Sequence, residues 1–136
     1  MPLTLYSGPI IDSHLHLWDP QHLTYPWLSG PLDQAFLPRD FQATTGPVLV
    51  ESMVFLECAA APRQSLDEAR WVLEQAKADP RIAAMVCHAP LEQGDAVRPY
   101  LESLAAMAKV KGAPGHGAAP AHTFTIRQFQ DARRGC

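Results

Sequence analysis

The segment Asp12-Ser13-His14-Leu15-His16 gathers the residue types in this chain best suited to chemistry. Residues two apart on an extended strand point to the same side, so Asp12, His14 and His16 share one face. Two neutral imidazoles on one face can reach a single cation, and imidazole suits zinc and other divalent first-row metals. Asp12, one step deeper on that face, is placed to orient an imidazole through its second nitrogen. The plainer alternative is a histidine pair that lines a polar loop or holds water. Two ligands also fall short of a catalytic zinc, which takes three from protein and keeps a position open for water.

The other reactive side chains give weaker signals. His88 follows a strand candidate and reads as a rim residue, while His116 and His122 lie in a stretch rich in glycine and proline and read as solvated. Cys58 and Cys87 sit in apolar surroundings, as small buried side chains do. With Cys136 they make three, an odd and widely spaced set that argues against a disulfide framework and for a reducing, cytoplasmic compartment.

The elements that must position the histidines follow the pattern of parallel β/α units. Ile10 to His16 alternates as a strand, with polar residues toward its end, as happens at the mouth of a barrel. Leu17 to Leu37 has no period and reads as a long loop carrying Trp18, Tyr25, Trp27 and Phe36, and a short helical turn is expected near Pro38 to Phe41. Met53 to Cys58 is a short apolar run, expected as a strand buried on both faces. Ser65-Leu66-Asp67-Glu68 has the form of a capping box ahead of a helix with Leu66, Ala69, Val72, Leu73 and Ala76 on one stripe. Trp71 on that helix reads as packing, and Asp79-Pro80 stops it. Ile82 to Cys87 is a third strand. Asp95 is placed to cap a further helix through Ala108, and Val110-Lys111 begins a fourth strand. Strand, helix, strand, helix, strand implies a parallel α/β sheet.

Composition sets the outer limits. Hydrophobic residues make up 47% and charged residues 18%, as in ordinary globular proteins. The net charge of −3 gives no basic face for nucleic acid or an anionic membrane. No apolar run is long enough to span a membrane, and Met1 to Pro9 does not read as a secretory signal. The 136 residues fall well short of the roughly 250 of a complete eight-stranded barrel.

Ile11-Asp12-Ser13-His14-Leu15-His16-Leu17-Trp18-Asp19-Pro20, followed by Tyr25-Pro26-Trp27-Leu28, resembles the opening of amidohydrolase-related proteins, in the branch that includes sugar-lactone hydrolases. Met53 to Glu57, Glu68 to Val72, Asp79 to Ile82, Ala89 to Glu92 and Val110 to Gly112 extend the resemblance in order, over about residues 9–112. It implies a metal-dependent (β/α)-barrel hydrolase, here as a partial TIM-like barrel of about the first four β/α units. By that resemblance His14 and His16 are the metal pair of the first strand. Glu57 is an acidic ligand or substrate contact, with a solvated carboxylate as the alternative. Trp18, Tyr25 and Trp27 wall the substrate pocket or pack the loop onto the barrel rim. The implied cofactor is a divalent metal, zinc by ligand type, and the implied substrate is a small lactone, ester or amide.

Residues 1–112 thus form the barrel-like part, and residues 113–136 a divergent, irregular tail expected to be disordered, with a frayed helix at Ile126 to Arg134. The family pattern stops after Gly112, as splicing, a frameshift or a misjoined gene would make it do. No residue of the chain is assigned as general base. The alternatives to a hydrolase completed by a partner, including self-association through exposed barrel edges, are a non-catalytic truncated isoform and a metal-binding or interaction protein.

Overall fold

The computed structural model describes residues 6–113 and 124–125. Ile10–Leu15 (β1), Val50–Leu56 (β2), Ile82–Val86 (β3) and Val110–Ala113 (β4) pair in parallel, in that order. Pro38–Thr45 (α1), Ser65–Ala78 (α2) and Arg98–Ala105 (α3) occupy the three crossovers. The result is the parallel α/β arrangement that the alternation of elements predicts, and it is consistent with the partial TIM-like barrel that the resemblance implies. No helix among the described residues is long and apolar enough to cross a membrane.

One face of the sheet carries the core. Met53, Phe55, Ile82 and Met85 are fully buried there, with Leu15 and Leu17 beside them, and α2 lays Ala69, Val72 and Ala76 against them. A large apolar side chain stabilises by about 1.5–3 kcal/mol when fully buried, so this cluster dominates the fold. The expectation that the second strand is buried on both faces holds on one only. Val54 and Leu56 are half-buried, because the four parallel strands form an open sheet whose inner face is not enclosed. At the start of β1, Ile10 and Ile11 are 37% and 64% exposed.

Three local expectations need correction. Glu68 does not close a capping box: α2 begins at Ser65, whose hydroxyl donates to the Pro62 carbonyl at 3.1 Å, and Glu68 points into the core. Asp95 does not cap α3, since it lies in a 3-10 stretch (Leu91–Val97) and α3 starts at Arg98 with a proline in its first turn. The turn near Pro38 is an eight-residue helix, held at its start by the Asp40 carboxylate on the Leu37 amide at 2.8 Å.

Strand β4 runs through Ala113, and Phe124–Thr125 (β5) pairs antiparallel with Gly112 and Ala113. The expected disorder of the tail otherwise falls on residues outside the described ones, as does the helix at Ile126 to Arg134.

Candidate metal and substrate site

The C-terminal end of β1 brings the two histidines together. His14 Nε2 and His16 Nε2 lie 3.0 Å apart, and both side chains are exposed on the open face of the sheet. His16 Nδ1 stands 3.1 Å from the Leu56 carbonyl of β2. A carbonyl only accepts, so the proton sits on Nδ1 and the Nε2 lone pair is free toward His14. His14 Nε2–H completes the contact as donor. Two imidazole nitrogens on one tetrahedral zinc stand about 3.3 Å apart, given zinc–nitrogen distances of about 2.0–2.1 Å. The pair therefore fits two positions around one ion.

Among the described residues a third donor is not assembled beside the pair. The Glu57 carboxylate accepts from the Ala59 amide at 2.6 Å. Among the described residues, no three histidine, cysteine, aspartate or glutamate side chains are grouped so as to hold a metal ion. Local backbone explains the placement: Ala59 has φ +50°, a left-handed conformation that costs an alanine about 1–2 kcal/mol. The carboxylate two residues back supports that turn. Asp12 also departs from expectation, accepting from the His14 backbone amide at 3.0 Å instead of orienting an imidazole.

The three aromatic residues expected to wall one pocket pack edge to face in one cluster, Trp18 on Trp27 at 5.5 Å and Tyr25 on Trp27 at 6.1 Å, and border different spaces. Trp27 is 42% exposed and lines a cavity of ≈ 530 Å³ at the C-terminal ends of β2 and β3, together with Ala59, Ala60, His88 and Glu92. Its indole N–H donates to the Cys58 carbonyl at 2.6 Å. Trp18 lines a smaller recess of ≈ 190 Å³ with His16 and Phe36. It stacks on Phe36 at 4.6 Å, and two backbone hydrogen bonds between Trp18 and Phe36 close the long loop at its base. Tyr25 is 5% exposed, and burial holds its phenol well above its ordinary pKa. Its ring meets Trp27 edge to face at 6.1 Å. A further cleft of ≈ 390 Å³ is lined by Arg39, Gln42, Asp79 and Arg81.

Between the histidine pair and the cavity lies the segment after β2. The Cys58 thiol is 3.6 Å from His16 Nδ1 and donates to the Leu17 carbonyl at 3.2 Å. Burial pushes the Cys58 thiol far above its ordinary range and Cys87 up to about 12, which disfavours the thiolate form a nucleophile needs. The Cys58 amide donates to the Glu68 carboxylate at 3.1 Å. Sequence reasoning missed Glu68 here. The available signal was its position: Ser65, Glu68, Ala69, Val72 and Ala76 make the buried stripe of α2, and an acid on such a stripe has a buried partner.

Among solved structures, the chain is similar to Amidohydrolase 2 from Bifidobacterium longum subsp. infantis, at 30% identity over 60% of this chain and a TM-score of 0.51. It is similar to an amidohydrolase from Burkholderia multivorans with bound Zn, at 27% identity over 78% of this chain and a TM-score of 0.53. It covers 32% and 36% of those two chains, so it spans about a third of their length. No protein-family profile and no curated protein matches it. The chain has an amidohydrolase-related fold, in part.

Proposed function

We propose that this chain supplies the first metal ligands and one pocket wall of a hydrolase that acts on a small lactone, ester or amide. The observation that carries the reading is the 3.0 Å approach of His14 Nε2 to His16 Nε2, with the His16 tautomer set by Leu56. Support comes from the amidohydrolase-related fold and from the bound Zn of the Burkholderia multivorans relative. When bound, a divalent ion supplies Lewis-acid polarisation of a carbonyl and a water more acidic than bulk. His16 holds its Nε2 lone pair ready by donating Nδ1–H to the Leu56 carbonyl. His14 frees its own Nε2 by moving its proton to the other ring nitrogen. Trp27 offers an apolar ring face to a substrate in the cavity, and His88 and Glu92 offer polar atoms on its rim.

A pair of histidines does not complete such a site, so the remaining ligands and the general base come from outside the described residues. A second copy is one source. Strand β1 pairs with β2 alone among the described residues and leaves its other edge open, whereas β5 takes up part of the β4 edge. The test is zinc-dependent hydrolysis of a panel of lactones, esters and anilides across a protein concentration series. Specific activity that rises with concentration supports completion by a second copy. Bound zinc with no hydrolysis at any concentration sinks the hydrolase reading and leaves the second one, a metal-binding protein without chemistry, which the two-donor geometry favours.

A further inference from the structure

Glu68 is the most deeply buried charged side chain among the described residues, at 2% exposure, and the chemistry proposed above does not use it. Its carboxylate takes the amide of Cys58, at 3.1 Å, and that of Ala60. Glu57 takes the amide between them, that of Ala59. Three successive N–H groups are thus held by two carboxylates, around a residue whose positive φ the chain would not adopt unaided. The Cys58 carbonyl lies along the chain between the two amides that Glu68 holds. That carbonyl accepts from the Trp27 indole across 31 residues of sequence.

We propose that Glu68 is a positioning residue: it clamps the 58–60 segment so that the Cys58 carbonyl fixes Trp27 at the wall of the ≈ 530 Å³ cavity. The proposal rests on the reading of that cavity as the substrate pocket, but its geometry needs neither metal nor substrate. Ala59 and Ala60, which the clamp sets directly, line the same cavity, so one buried carboxylate governs two parts of its wall. An apolar residue at position 68 would fill the same space and leave both amides without an acceptor. A glutamine would keep the shape and one acceptor, but would present an N–H where the second acceptor stood.

Deuterium exchange of the indole N–H groups at pH 8, where the Glu68 carboxyl is ionised, tests this on the whole chain, with the resonances assigned through Trp18→Phe, Trp27→Phe and Trp71→Phe. In Glu68→Gln the Trp27 indole is expected to exchange at least roughly tenfold faster, while the Trp18 indole, held by the Leu32 carbonyl at 3.1 Å, stays within about twofold. Equal acceleration at both tryptophans would mean that Glu68 only supports the fold, and an unchanged Trp27 rate would mean that the clamp does not reach the wall. Either result overturns the proposal. Should Glu68→Gln fail to fold, Glu68→Asp keeps the charge, withdraws it by one methylene, and is read by the same two rates. Zinc binding and hydrolysis do not enter the measurement, so its failure is separable from failure of the hydrolase reading.

Discussion

At the scale of single residues, the site depends on polar groups whose partners are far away in sequence. His16 owes its tautomer to Leu56, Trp27 its anchor to Cys58, and Cys58 its amide's acceptor to Glu68. Burial pushes the Glu68 carboxyl up to about 7, the Cys58 amide pulls it back, and the nearby Glu57 charge adds to the rise. In the unfolded chain the same group titrates near 4.5. Between about pH 4.5 and 7 the folded state therefore holds a proton that the unfolded state has lost. The contribution is full below pH 4.5 and is lost as the pH rises through 7, a swing on the order of 3 kcal/mol. Denaturant unfolding of the native chain and of Glu68→Gln at pH 5 and pH 8 should show the native chain losing more stability between the two. Parallel losses would contradict the raised pKa.

At the scale of elements, the helices and strands were legible where one period decided them. The stripe of α2 and its stop at Asp79-Pro80 follow from spacing and backbone sterics, and the structure has both. The capping box was misread because Ser-x-x-Glu fits two environments, a solvated helix start and a buried stripe, and only the packing of α2 on the sheet selects between them. The end of β2 was legible as a place but not as a geometry: nothing local to Glu57 reveals that its carboxylate turns back onto Ala59. The two faces of β2 differ in what they contribute. Phe55→Ala, on the closed face, should cost about 3–5 kcal/mol, and Leu56→Ala, on the open face, clearly less. Chemical denaturation of both variants checks the ranking, and equal costs would mean that the inner face of the sheet is enclosed after all.

At the scale of the whole molecule, the order of elements gave the parallel sheet, while the completeness of the site lay beyond it. Four parallel strands with their crossovers reproduce the start of a barrel, and the two solved relatives extend well past it. Among the described residues the inner face of the sheet is open, and His14 and His16 are not joined by a third grouped metal-ligating side chain.

Calorimetric titration of zinc into the whole chain, beside His14→Ala and His16→Ala, tests most directly whether these two imidazoles form a metal-binding pair. Binding by the native chain, weakened at least roughly tenfold by either substitution, is the result expected of two ligands on one ion. Equal zinc affinity in all three proteins would contradict it, and the histidines would then be a polar rim at the end of a strand.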